Sequence, residues 1–593
     1  MAVSTPFAAD ASPRARFDDV ARGAGYEFDG HVRTWVAGTI DDVVPALTAA
    51  EAEAVAGNWV VGFVAYEAAP AFDRAFPIPA AGDALPLAWF SAYSQRREVP
   101  LVMAPDEAPV VVDTQRVHGS EWYRSGVQTV RRRIEAGDVY QVNLTDRITC
   151  TLHGDPYQLY GSMVSTQGGS FNAYLDLGEH VVVSASPELF LQIDGDTITT
   201  RPMKGTRRRH GRPDADAQLA HELRHSAKDL AENVMIVDLL RNDLTRVSSP
   251  GGVSVPELFR VERYETVWQL TSTVVARLRP EVGLVDVFAA TFPCGSITGA
   301  PKVSAMHVIG QLEPTPRGVY CGTIGMISPA VGGARPASVW SVAIRTAVVE
   351  RSTGRVQFGA GGGITYDSVP VDEDDEMESK TTVLRRARAG FQLFETLRLD
   401  EKGVHHLALH LQRLAASAEY FGFPCDTATI ARGVMAIAPA THPRRLRLLL
   451  DRSGRSLLET SWLDPPSATV RLAVSSARVR SDDPFLCHKT TRRDTYEDAR
   501  AEFSEDAADD VLLVNERDEV VESTVANLLY QLDGHWYTPP LTSGGLPGVG
   551  RQALLAYGAV NERVLPLAEL DECDALDVVS SLRGRRPAVR LHP

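Results

Sequence analysis

The stretch of this chain best equipped for chemistry runs from Gln357 to Lys380, QFGAGGGITYDSVPVDEDDEMESK. Gly359–Gly363 reads as a glycine turn, which offers backbone N–H groups to a ligand with no Cβ in the way. Pro370 marks a helix start with acids crowded into its first turns. On that helix Glu373, Glu376 and Lys380 fall at i, i+3 and i+7 and share one face. Two carboxylates and an ammonium beside a glycine wall suit a divalent cation and a carboxylate-bearing ligand. Taken alone, the run also reads as a turn followed by a solvated acidic helix.

Upstream, residues 201–209 read RPMKGTRRR, with Lys204 between a strand and a basic cluster. A lysine in a partly dry site can lose its proton and act as a nucleophile; a lone Lys-Gly is otherwise a solvated turn. The helical segment 226–244 carries acids and an arginine on an element that should pack. Glu232 is its candidate metal ligand, and Asp238 and Arg241 read as a supporting pair. Residues 292–302, FPCGSITGAPK, form a glycine- and hydroxyl-rich turn, including Ser296, that opens a helix, and helix N-termini favour anions. Arg345 sits in an otherwise apolar strand, where a guanidinium fork needs an anionic partner such as a carboxylate.

The last 200 or so residues hold a second set. His410 and Arg413 lie one helical turn apart in LALHLQRL. Lys489 ends an extended stretch, Cys487-His488-Lys489, and Glu522 stands at a strand end. Gly545–Arg551, which includes Val549 and Gly550, is a turn opening a helix, a place for a phosphate.

These residues need a scaffold, and 593 residues are too many for one core. Apolar content of 44% and charged content of 23% are ordinary for a globular protein, and the net charge of −16 argues against nucleic acid and anionic membrane surfaces. No apolar run approaches the roughly 20 residues of a membrane span, and the N-terminus has no signal-peptide core. Six scattered cysteines without CxxC spacing point to a reducing, cytoplasmic protein. Residues 58–67 read as a buried strand, 68–88 as loop, 122–137 as an amphipathic helix, and 214–244 as one long helical segment. The strand pattern gives an interleaved α+β unit without regular βαβ spacing. It ends near Arg386–Gly390, and a new strand begins at Phe391. The divisions expected are 1–115, 116–388 and 391–593.

ENVMIVDLLRNDL, GSITGAPK, RGVYCGTIG, AIRT and the glycine–acid–lysine stretch occur in this order over about 115–388. The region resembles the chorismate-utilising enzymes, the family of anthranilate synthase component I, aminodeoxychorismate synthase component I and isochorismate synthases. The resemblance implies their α+β fold of antiparallel sheets with surrounding helices. It implies Mg²⁺ held by Glu232 and Glu376 with Glu373 nearby. Chorismate carboxylates would be held by Tyr320, Arg345, the Gly361, Gly362 and Gly363 backbone and Lys380, with Ser296 close. Pro202-Met203-Lys204-Gly205-Thr206 is similar to the aminodeoxychorismate synthase segment whose lysine attacks the ring; anthranilate synthases have alanine there. The Leu-Leu-Glu-Ser segment that binds feedback tryptophan is missing. One departure is Gln269, which replaces a family histidine linked to ring chemistry.

Residues 391–587 resemble the fold-type IV pyridoxal-phosphate enzymes, two-subdomain α/β proteins that include branched-chain and D-amino acid aminotransferases and aminodeoxychorismate lyase. That resemblance implies that Lys489 carries pyridoxal 5'-phosphate and shuttles protons and that Glu522 faces the pyridine nitrogen. It gives the phosphate to Arg413, Val549, Gly550 and Ser581, and it admits a homodimer through this unit. Together the halves imply conversion of chorismate to 4-aminobenzoate. The chain shows no Gly-x-Cys-x-Gly glutaminase elbow, so ammonia is expected from a separate glutamine amidotransferase subunit or from solution. The alternatives are a synthase fused to an amino acid transaminase, or a non-catalytic scaffold for an amidotransferase.

Overall fold

The structure, a computed structural model, describes residues 14–77, 85–105, 109–264, 267–385, 390–437, 439–465, 468–504 and 506–591. It divides into two compact units. The first runs to Arg207 and resumes over Glu222–Gly390; the second comprises Phe391–Pro593 and takes in Arg208–His221 as well. Residues 386–389, where the sequence reading puts the end of the first unit, and 78–84, within its proline-rich loop, lie outside the described residues.

The first unit is built on an 18-stranded hydrogen-bonded sheet system whose described pairings are all antiparallel. Strands from 14–116 and from 141–364 interleave in it, as the pairing of Trp59–Val64 with Thr323–Ile327 shows. Three apolar clusters fill the space between sheet and helices; one gathers Phe190, Phe288, Phe292 and Trp340.

Gly359–Gly363 is not a turn but part of a strand, Arg355–Ile364, paired residue for residue with Thr151–Val142 of strand Gln141–His153. Glycine is needed because the neighbours come close: a Cβ on Gly361 would collide with the Leu144 carbonyl, and one on Gly359 with the Tyr320 ring. Helix Pro370–Arg385 follows, as its proline and acidic first turn predict. The segment 214–244 is two helices, Pro213–His225 and Ala227–Thr245. Ser226 separates them because its extended backbone and its hydroxyl, which accepts from Asp229 N, cap the second. Arg345 is in the break between strands Ser338–Val342 and Thr346–Glu350, at φ +52°, not inside a strand.

The second unit has two sheets. One has four strands in the order Gly403–Val404, Leu393–Asp400, Arg444–Leu450, Ser456–Trp462, all antiparallel. Helix Leu407–Phe421 packs on it through Leu414, Ala418 and Phe421. The other has eight strands and mixed direction, strand Val470–Val479 lying parallel to both its neighbours. Lys489 does not end an extended stretch; it follows a one-turn helix, Pro484–Cys487, capped by Asp483. Arg209, within Arg208–His221, pairs with Asp216 at 2.7 Å and lies 3.7 Å from the Tyr420 ring centroid.

Gly361→Ala is expected to destabilise the first unit by roughly 1–3 kcal/mol, because the glycine strand cannot move off its partner without breaking the ladder. The check is thermal unfolding followed by calorimetry, in which the transition of the first unit should move to lower temperature while that of the second stays in place.

Candidate active sites

In the first unit the glycine strand is a floor on which side chains from five other segments converge. Lys204, on strand Met203–Arg208, brings its Nζ to Gly363: a Cβ there would stand 2.8 Å from it and would collide with the Gln141 amide. Lys380 donates to Gly361 O at 2.8 Å and pairs with Glu376 at 2.7 Å. The Glu373 carboxylate approaches Gly362 and accepts from Ser368 Oγ at 2.6 Å. Tyr320, nearly buried, lies on Gly359, and the Arg345 guanidinium donates to Lys380 O at 2.9 Å. Gln269, in the place of the expected histidine, clasps the lysine turn: it accepts from Thr206 Oγ1 and donates to Gly205 O, both at 3.0 Å. Gly205, at φ +91°, makes that turn possible.

The charges sort by environment. Lys380 draws the Glu376 carboxyl down to about 2 against its burial. Burial pushes Glu373 and Glu232 up, and each of these two has a further carboxylate raising it, Glu376 for the one and Glu373 for the other. Among the described residues no three histidine, cysteine, aspartate or glutamate side chains are gathered closely enough to hold a metal. The donor chemistry nevertheless fits a hard dication: Glu376 raises Glu373 and Glu373 raises Glu232, repulsions that such an ion relieves.

One residue went unseen in the sequence. Glu188 lies between apolar neighbours just before strand Leu189–Asp194, is 4% exposed, and has one carboxyl oxygen without a partner. Burial pushes it up to about 7, while Ser296 and Lys204 pull the other way. It therefore ties Ser296 and Lys204 to one corner. The only sequence signal was an acid in an otherwise apolar run, ASPELFLQI, which spacing rules do not pick out.

In the second unit a cavity of about 370 Å³ is lined by every one of the six residues read from the sequence: Arg413, Lys489, Glu522, Val549, Gly550 and Ser581. Lys489 stands 4.6 Å from the Phe394 ring centroid, and burial, with Arg413 adding to it, lowers its ammonium to about 7. Burial raises Glu522 to about 7, although it accepts bonds from Tyr496 Oη at 2.9 Å, Asn527 Nδ2 at 2.8 Å and Leu546 N at 3.1 Å. Gly550 packs against the Ser580–Ser581 peptide, where a Cβ would come within 2.9 Å of it. The arrangement fits pyridoxal 5'-phosphate: a lysine that is easily neutral, a carboxyl fixed by three donors, and a helix start with glycine and serine for a phosphate. Arg445, Arg447, Arg493, Arg583 and Arg586 also line the cavity. The Nε atoms of Arg447 and Arg586 are buried without a hydrogen-bond partner.

The two units that carry these sites match a chorismate-binding enzyme and a class IV amino-transferase. The chain belongs to the chorismate binding enzyme family, whose sequence model matches residues 11–386, and residues 392–591 match amino-transferase class IV. Among curated proteins it is 44% identical to aminodeoxychorismate synthase component 1 of Salmonella typhimurium, over 42% of this chain and 53% of that one. It is 39% identical to anthranilate synthase component 1 of Streptomyces coelicolor, over 49% of this chain and 59% of that one. The chain thus spans between half and three-fifths of the length of these relatives. In structure it resembles anthranilate synthase component I of Streptococcus pneumoniae, with a TM-score of 0.52 and 25% identity over 65% of this chain and 94% of that one. A class IV amino-transferase match implies pyridoxal phosphate, and chorismate-binding enzymes typically use Mg²⁺. No helix among the described residues is long and apolar enough to cross a membrane.

The raised Glu188 pKa has a consequence for stability. Both folded and unfolded chains hold this proton below pH 4.5, and only the folded chain holds it between there and about 7. Folding is therefore penalised increasingly as pH rises through that window. Glu188→Gln, a neutral stand-in of the same shape, should raise the melting temperature of the first unit at pH 8 and leave it unchanged at pH 4.5. A melting curve at each pH decides it.

Proposed function

We propose that this chain makes 4-aminobenzoate from chorismate and ammonia in two steps, one in each unit. The observation that carries the reading is the same in both sites: a lysine set against a buried carboxyl whose pKa burial pushes up to about 7.

In the first unit the substrate would lie on the glycine floor. Arg345, Lys380 and the Gly361–Gly363 backbone would hold its carboxylates. Glu232, Glu373 and Glu376 would hold Mg²⁺, which neutralises carboxylate charge when bound. Lys204 Nζ attacks the ring, the double bonds shift, and the 4-hydroxyl departs with a proton from Glu188, which burial keeps protonated near neutral pH. Ammonia then adds and displaces the lysine, giving 4-amino-4-deoxychorismate. Lys204 favours this product over anthranilate. Relatives named component 1 support a second component, a glutamine amidotransferase, as the ammonia source.

In the second unit pyridoxal phosphate would supply an electron sink. Lys489, near its neutral form at physiological pH, would hold the cofactor, yield to the substrate amine, and then move the proton from C4 of the ring. Glu522 would hold the pyridine nitrogen. Loss of that proton and of pyruvate leaves an aromatic ring. The extra arginines favour this reading over a transaminase for apolar amino acids, because amino-deoxychorismate carries two carboxylates and five arginines besides Arg413 line the cavity. The six free cysteines, four of them buried, fit a reducing cytoplasm.

Purified protein given chorismate, ammonium, Mg²⁺ and pyridoxal phosphate should release 4-aminobenzoate and pyruvate in equal amounts; anthranilate, or amino exchange without pyruvate, would refute the corresponding half. Lys204→Ala should cut product from chorismate more than about a thousandfold and be rescued by supplied 4-amino-4-deoxychorismate. Glu376→Gln should move the Mg²⁺ activation curve at least about tenfold toward higher metal, since an amide is a poor ligand for a hard cation. An unmoved curve would take Glu376 away from the metal.

A further inference from the structure

Glu395, His410 and Ser581 form a hydrogen-bonded row that ends in the cavity of the second unit. His410 and Glu395 are each 1% exposed. His410 Nδ1 is 2.6 Å from Glu395 Oε2, and its Nε2 is 2.8 Å from Ser581 Oγ. Glu395 also takes two bonds from Arg413, at 2.8 and 2.5 Å. Against the upward push of burial, Arg413 and His410 hold the Glu395 carboxyl down to about 2.

That fixes the direction of one bond and leaves the other free to turn. Glu395 is a carboxylate at any working pH and can only accept, so His410 Nδ1 must carry a hydrogen. Nε2 is then the titrating position. When Nε2 is bare, the hydrogen between it and Ser581 is the hydroxyl's own, and Ser581 shows only lone pairs to the cavity. When Nε2 is protonated it donates to Ser581 Oγ, and the hydroxyl hydrogen is released to point outward. A phosphate dianion accepts hydrogen bonds and repels lone pairs.

We infer that His410 takes up one proton from solvent when a phosphate group seats against Ser581, turning the Glu395–His410–Ser581 row from inward-donating to outward-donating. The groups facing His410 agree with this. Arg413 on its own helix and Lys489 beyond Pro484–Cys487 oppose its charge, Glu395 on strand Leu393–Asp400 favours it, and Ser581 follows strand Ala575–Ser580. Burial leads these effects and holds the imidazole below its ordinary value, so it is neutral before an anion arrives. The inference rests on the cavity being a pyridoxal phosphate site and adds to it a proton that the cofactor brings in. His410 and Glu395 are positioning residues, since they act on the phosphate through Ser581.

Full-length protein freed of cofactor is titrated with pyridoxine 5'-phosphate, whose alcohol cannot bond to Lys489. Calorimetry in two buffers of different ionisation enthalpy counts protons taken up at pH 8, and dissociation constants are followed from pH 6.5 to 9. Wild type should take up close to one proton more than His410→Gln. Its affinity, complete below the free-state pKa of His410, should fall as pH rises through the bound-state value, by up to tenfold per pH unit more steeply than the variant's. Ser581→Ala keeps the His410–Glu395 pair but has no hydroxyl to turn, and it should match His410→Gln in both measurements. If His410→Gln fails to fold, Ser581→Ala and the ¹⁵N resonances of the wild-type His410 ring decide alone, a doubly protonated ring in the complex being the expected result. Equal proton counts in all three proteins, or a neutral His410 ring in the complex, would overturn the relay and leave a row that merely pins helix to strand. Failure of wild type to bind the probe at any pH would sink the cofactor reading and the relay with it.

Discussion

Ten consecutive residue pairs join strand Arg355–Ile364 to its partner, and that ladder forms only because no side chain stands up at Gly359, Gly361 or Gly363. A methyl group at any of the three meets Tyr320, the Leu144 carbonyl or the Gln141 amide. The first site depends on this constraint. With the strand bare, Lys204 and Lys380 can both bring Nζ close to its backbone, and Glu373 can approach from the helix that follows. The same absence of side chains that makes a strand weak on its own makes this one a surface for ligands.

Around that floor the structure holds charges out of water in a graded way. Glu376 has a lysine against it and stays fully ionised; Glu188 has Ser296, Lys204 and the Met203 N–H against its burial and still keeps its proton to near neutrality. Two carboxyls in one site with opposite shifts can do two jobs, one binding charge and the other giving up a proton. The second unit repeats the contrast, with Glu395 held down by Arg413 and Glu522 held up by burial despite three donors. In each case desolvation and the number of cations nearby decide the outcome, not the residue type.

Much of this was legible beforehand because glycine, proline and lysine speak locally. Pro370 and the acids after it start a helix wherever they stand, and Gly548-Val549-Gly550 opens one. Both families, and the antiparallel sheets and two-subdomain α/β fold they imply, were readable from the motifs; the mixed direction of the eight-stranded sheet was not. The failures were of another kind. Five residues with four glycines read as a turn because glycine usually means one, but the strand partner was more than 200 residues away in sequence. The long segment 214–244 read as one helix because Ser226 fits helical spacing, and only its capping bond shows the break.

The sequence by itself determined which groups could react: two lysines, their acids, and the glycines that let backbone come near. These are matters of residue type and short spacing, which a chain carries whatever its fold. Only the tertiary structure decided which of those groups are dry, and so which protons they keep. Glu188 looks unremarkable in the sequence, and His410 shows there only as a residue one helical turn from Arg413. Each acquires its chemistry from neighbours on other elements, Lys204 and Ser296 for one, Glu395 and Ser581 for the other. Burial and charge pairing act through space at a few ångströms, and no pattern of adjacent residues records them.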